Sequence, residues 1–200
     1  MLLNRFETWA MNNPIRTAVQ RHFEGRRLLD MGGAMNGGVA LEVGCGRGVG
    51  AEIILDRFGA DRVEAFDLDP QMVGRARRRL ATRGDAARVS VGDATRIAAL
   101  DESYDAVFDF GIIHHVPSWR AAVAEVGRVL RPGGRFYAEE VFGKFTTRRS
   151  VQRLLRHPEH DRFGHDQFCA TLTEAGLELI TSSQLWGVGG WFIADKPGKA

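Results

Sequence analysis

The sequence predicts an α/β fold built on a mostly parallel sheet, and three observations carry that expectation. Short apolar runs alternate with amphipathic segments from residue 39 onward, the pattern of strands joined by crossover helices. A glycine-rich turn follows the first apolar run directly, at Gly44, Gly46 and Gly48. Two closing apolar runs, within 177–185 and 189–195, lie too close together for a crossover helix. They must pair as a hairpin, so one of them runs against the rest.

Each element follows from its residues. VALEV (39–43) reads as a buried strand, followed by the turn and a helix, VGAEIILDRFG. RVEAFDL (62–68) is the second strand, and Pro70 opens the next helix, where its fixed φ suits the first turn. ARVSVGD is the third strand, YDAVFDFGII the fourth and GRFYAEEVF the fifth. Trp119–Leu130 is a helix between the last two, and Pro132-Gly133-Gly134 is expected to end it. LELITSSQL and GGWFIAD close the sheet, which makes seven strands.

Residues 1–38 lie outside the alternation and read as a helical cap: Leu2–Met11, then Pro14–Leu29, with Asn13 as the cap of the second helix and Gly32-Gly33 as its stop. Residues 39–140 form the core, 143–175 a helical insert, and 177–195 the hairpin. The 200 residues fit one domain. Hydrophobic residues at 44% and charged residues at 26% exclude a wholly disordered chain. A net charge of +2, from 24 Arg and three Lys against 25 acids, argues against a protein that coats nucleic acid. Cys45 and Cys169 have neither zinc nor disulfide spacing, and the charged N-terminal stretch lacks the apolar run of a signal peptide. A reduced, cytoplasmic setting is the expectation.

In open α/β sheets, ligands bind at the carboxyl ends of the strands. Here Leu41-Glu42-Val43-Gly44-Cys45-Gly46-Arg47-Gly48 brings backbone N–H groups to a helix start. The second strand ends in Asp67, a carboxylate able to accept from both hydroxyls of a ribose. The third ends in Gly92-Asp93-Ala94, where a carboxylate and a backbone amide can read an adenine edge. One nucleoside-like ligand could span all three ends. Gly46, Gly48 and Ala51 also match the dinucleotide pattern, so a nicotinamide cofactor and S-adenosylmethionine both fit this much.

LEVGCGRG, FDLDPQMVGRAR, VGDAT and YDAVFDFGIIHHVPSW followed by EVGRVLRPGGRF occur in order. Together they resemble the motifs of class I S-adenosylmethionine-dependent methyltransferases, particularly the small-molecule branch of ubiquinone/menaquinone type, over roughly residues 39–140. The resemblance implies a Rossmann-like seven-stranded sheet with an antiparallel last strand and helices on both faces. It implies S-adenosylmethionine as cofactor, with Glu42 holding its methionine end, Gly44, Gly46 and Gly48 beneath it, Asp67 at the ribose, Leu68 against the adenine, and Asp93 with Ala94 at the adenine edge. Asp109, Phe110 and Gly111 match the positions that flank the methionine moiety, although Asp109 departs from the small residue or Asn often found there.

Methyl transfer is an in-line displacement, so most of the work is positioning and exclusion of water. A base is needed only when the nucleophile must lose a proton. His114, His115 and Glu140 are the candidate catalytic residues. The histidines follow the fourth strand, and Glu139 and Glu140 end the fifth with side chains on opposite faces. The segment 144–156 carries Lys144, Arg148, Arg149, Arg153 and Arg156 and no acid. It reads as a lid with a basic face, or as a peripheral contact with an anionic membrane. His157, His160 and His165 with Asp161 and Asp166 give little support for a metal, because Pro158 interrupts the helical spacing. Phe6, Trp9 and Met11 could close over the cofactor or simply pack. The expected partner is a small-molecule acceptor rather than nucleic acid. The alternatives are an NAD(P)-dependent oxidoreductase and a non-catalytic partner subunit with the same fold.

Overall fold

The computed structural model describes residues 14–142 and 161–199. The expected Leu2–Met11 helix, Asn13, Phe6, Trp9, Met11, the basic segment 144–156, His157 and His160 lie outside the described residues.

The seven expected strands are present: β1 Val39–Val43, β2 Arg62–Asp67, β3 Ala87–Val91, β4 Tyr104–Phe110, β5 Leu130–Val141, β6 Glu178–Leu185 and β7 Gly189–Asp195. They form one sheet in the order β3-β2-β1-β4-β5-β7-β6. β1 to β5 pair in parallel. β7 is the antiparallel strand, hydrogen-bonded to β5 on one side and to β6 on the other.

Among the expected boundaries that shift, three do so for a clear local reason. β3 stops at Val91 because the Asp93 carboxylate accepts from the Thr95 N–H and folds the chain into a turn. β4 stops at Phe110 because Gly111 takes φ +77° and leads into a short 3₁₀ turn, Ile113–His115. The helix before β5 ends at Val129, ahead of Pro132. Leu130 already pairs with Tyr104, and an irregularity in register absorbs the Pro132–Gly134 stretch inside β5.

The helices are α1 Pro14–Val19, α2 Gly25–Gly32, α3 Val49–Ile53, α4 Pro70–Arg79, α5 Trp119–Val129 and α6 His165–Glu174. A π-helical turn, Gln20–Glu24, joins α1 to α2, and another, Ile54–Phe58, extends α3. Gly33 ends α2 at φ +75°, its N–H donating to the Leu29 carbonyl, as the sequence predicts.

Alternation along the strands sorts the core into two layers. Leu41, Val107, Phe136, Ala138 and Phe192 pack under α5 and α6, against Trp119, Val123, Phe168 and Leu172. Ala40, Val63, Phe108, Tyr137 and Ile193 pack on the other face, against Leu28 of α2 and Ile53, Ile54 and Phe58 around α3. There Phe108 and Tyr137 stack at 4.5 Å with Phe58 edge-on to both. Among the described residues, no helix is long and apolar enough to cross a membrane.

Candidate active site

The parallel strands end on one rim, and the turn after β1 is its centre. Gly44, Gly46 and Gly48 all take positive φ (67°, 51° and 80°), which other residues reach only with strain. At Gly44 space also demands glycine, since a Cβ would lie 2.5 Å from Ile112.

Asp67, at the end of β2, is fixed from both sides. Its Oδ2 accepts from the Gly46 N–H and its Oδ1 from the Asp69 N–H, each at 2.8 Å. The carboxylate ties the first two strand ends together and keeps lone pairs for a ligand. Burial pushes its pKa up, against the pull of these amides. Asp93 is more open, and its Oδ1 accepts from both the N–H and the hydroxyl of Thr95 at 2.8 Å. Those bonds hold its pKa below the ordinary value.

Between these carboxylates lies a cavity of about 320 Å³. Of the residues singled out from sequence, Gly44, Asp67, Leu68, Asp93, Ala94 and His115 line it. Phe66, Ile112 and Val116 add apolar wall, and Leu68 is exposed at its side. A cavity of this size with apolar walls and two carboxylates suits a nucleoside.

Glu42, Gly46, Gly48, Asp109, Phe110, His114 and Glu140 do not line this cavity. Glu42 is buried beneath the turn, with no hydrogen-bond partner for Oε2 among the described residues. Burial raises its pKa well above the ordinary value, and the charges of Asp67 and Asp109 add to the shift. A buried carboxylate with a spare acceptor fits the cationic end of S-adenosylmethionine. The residues present therefore fit that group.

Glu139 and Glu140 point to opposite faces, as alternation requires. Glu139 lies on the α2 side, where burial and the neighbouring Glu24 raise its pKa, and Glu24 pairs with Arg16. Glu140 lies on the α5 side, with its Oε2 2.5 Å from His114 Nδ1. The His114 and His115 rings are 4.1 Å apart, and only the second reaches the cavity.

Burial pushes Glu140 up to about 7 from an ordinary 4.5. A carboxyl whose folded pKa lies above its unfolded value stabilises the fold fully at low pH. That contribution is lost as pH rises through the folded value. Stability is therefore expected to fall between about pH 4.5 and 7, and Glu140→Gln to flatten that slope. Thermal melts across the range check this, and parallel slopes in the two proteins would contradict it.

Sequence reasoning missed two residues. Gly50, in the first turn of α3, leaves room for Glu42: a Cβ there would lie 1.9 Å from its Oε1 and 2.7 Å from the Phe110 ring. Ile112 fills the space above Gly44. Neither belongs to a spacing rule, because both depend on contacts between strands.

Residues 40–134 match the family described as "Methyltransferase domain". Over 134 residues the chain is 33% identical to a fatty-acid O-methyltransferase of Mycolicibacterium smegmatis, covering 67% of this chain and 43% of that protein. Over 132 residues it is 33% identical to a phthiotriol/phenolphthiotriol dimycocerosates methyltransferase of Mycobacterium tuberculosis, covering 65% of this chain and 46% of the relative. The chain thus spans under half the length of these two relatives. A Haloferax volcanii structure, solved as a complex with the Trm112 methyltransferase activator, superposes with a TM-score of 0.78. It is 19% identical, over 98% of this chain and 100% of the other, and so speaks for the fold alone. The matched segment, the sheet order and the rim agree with one another: residues 40–134 are similar to a methyltransferase domain, and that similarity implies S-adenosylmethionine as the cofactor.

Proposed function

We propose that the chain transfers the methyl group of S-adenosylmethionine to a small apolar acceptor, of lipid, quinone or natural-product type. The observation that carries the cofactor half is the cavity with Asp67 and Asp93 across it and the glycine turn at its edge. The acceptor class draws on the two relatives, one named for a fatty acid and the other for phthiotriol and phenolphthiotriol dimycocerosates.

In this reading Asp67 takes the ribose hydroxyls, and Leu68, Asp93 and Ala94 take the adenine. Glu42 takes the methionine ammonium, with Gly44, Gly46 and Gly48 giving close backbone approach and Phe110 as apolar floor. S-adenosylmethionine supplies a methyl already activated by its sulfonium, so the protein's contribution is alignment and dryness. His114 and His115 are the proposed catalytic pair on the acceptor side. We further read residues 1–200 as one unit: the cap 1–38, the core 39–140, the insert 143–175 and the hairpin 177–195. A cytoplasmic setting, supported by two free cysteines, belongs to the same reading. So does peripheral contact with anionic membranes through 144–156. Absence of binding to anionic vesicles would remove that last part.

Calorimetric titration with S-adenosylhomocysteine, with NADH in parallel, tests the reading. Micromolar binding of the first alone is expected, and binding of NADH alone would overturn it. Asp67→Ala is expected to weaken S-adenosylhomocysteine by about 1.5–3 kcal/mol, through loss of charged hydrogen bonds. A folded variant with unchanged affinity would mean that Asp67 does not hold the ribose.

A further inference from the structure

Two buried carboxylates stand behind the cavity without opening into it. Asp109 is wholly buried and Glu140 nearly so, and each grips the turn after β4. Asp109 Oδ1 accepts from the Ile112 N–H at 2.8 Å. Glu140 accepts from the His114 N–H, 3.3 Å from each oxygen, and its Oε2 lies 2.5 Å from His114 Nδ1. Both side chains lie on the α5 side of the sheet, two residues or fewer past the apolar positions Val107 and Ala138. An apolar residue at either place would satisfy burial, so packing alone gives no reason for acids here.

The turn they grip forms one wall of the cavity. Ile112 occupies the volume that a Cβ on Gly44 would need, and His114 stacks against His115, whose ring lines the cavity. One grip runs from Asp109 through Ile112 to Gly44, and the other from Glu140 through His114 to His115.

We infer that Asp109 and Glu140 are positioning residues that touch neither cofactor nor acceptor and set the cofactor wall by clamping Ile112 and His114. The inference rests on the cofactor reading above. It reassigns Asp109 from the cofactor-contact role, and Glu140 from the catalytic role, that their rim positions suggest in the sequence. The direction of titration agrees: burial and the charge of Glu140 hold the Asp109 carboxyl well above its ordinary range.

The test compares amide and apolar replacements. Glu140→Gln and Asp109→Asn keep a carbonyl oxygen that can accept from the same N–H groups, whereas Glu140→Leu and Asp109→Leu keep none. The apolar variants are expected to weaken S-adenosylhomocysteine about tenfold or more, and the amides to restore it to within about threefold. S-adenosylmethionine and S-adenosylhomocysteine should be affected alike, because a clamp does not sense the sulfonium charge. A larger loss for S-adenosylmethionine, or amides as weak as the apolar variants, would overturn the inference. If the apolar variants fail to fold, the comparison of the two ligands in Glu140→Gln decides. A wild type that binds neither ligand sinks the cofactor reading instead. The clamp is then read from the His114 Nδ1 proton in ligand-free protein by NMR. A far-downfield signal that disappears in Glu140→Gln supports it, and a signal that is absent or unmoved overturns it.

Discussion

Gly50→Ala is expected to lose most cofactor binding while leaving a folded protein. The new methyl would sit 1.9 Å from Glu42 Oε1 and 2.7 Å from the Phe110 ring. The carboxylate end of Glu42 can swing away at little cost in strain, but the ring is buried and must shift with its neighbours. Overpacking of this kind costs about 1–3 kcal/mol, a fall of about 2–12 °C in melting temperature for a chain of this size. The functional loss is larger, because Glu42 leaves the place from which it can meet a cation. A fall of at least about tenfold in S-adenosylhomocysteine affinity is the expectation. Gly46→Ala is the control for stability alone, since Gly46 belongs to the cofactor turn: no atom lies within 4 Å of its Cβ position, so only its φ of +51° opposes the change. That strain is about 1–2 kcal/mol. Melts of both variants and titration of Gly50→Ala check this. A folded Gly50→Ala protein with unchanged affinity would place the Glu42 side chain somewhere other than beneath α3.

Trp119→Ala is expected to give the largest loss of stability. Trp119 opens α5, is almost fully buried, and packs at a tilt against Phe163 at 4.5 Å and stacks with Phe168 at 6.2 Å. It therefore joins the helix after β4 to α6 and the residues before it. Removing a buried indole costs about 3–5 kcal/mol, or about 6–20 °C in melting temperature. Its Nε1 has no hydrogen-bond partner among the described residues, so Trp119→Phe forfeits only packing and should cost about 1–2 kcal/mol. Denaturant melts of the two variants separate these values. A Trp119→Ala protein as stable as the wild type would mean that α6 does not rest on this ring.

The sheet was legible because periodicity is local. VALEV and RVEAFDL carry their burial in their own residues, and the spacing of the last two runs required a hairpin. Which hairpin strand would lie inside the sheet was not legible, since that depends on which edge of β5 was open. At the site, Asp67 and Asp93 were legible as strand-end carboxylates, and the cavity lies between them. Depth was harder to read. Asp109 and Glu140 sit at strand ends just as Asp67 does, yet one residue of alternation turns them under the rim. The Pro132-Gly133-Gly134 stretch reads as a helix stop, but pairing with Tyr104 draws the preceding residues into β5.

The interior position of β7 has a consequence for how the chain comes together during synthesis. Among the described residues, β6 pairs only with β7, and β7 joins it to β5. When residues 178–185 leave the ribosome, they have no strand to meet. The first five strands can already have collapsed around β1 and β4, each neighbour a parallel partner. The β5 edge then stays open until 189–195 emerge and slot between two waiting strands. An open strand edge is a template for pairing with other chains. A nascent chain paused between residues 142 and 189 is therefore the form most exposed to aggregation, and completing the hairpin is the step that ends that exposure.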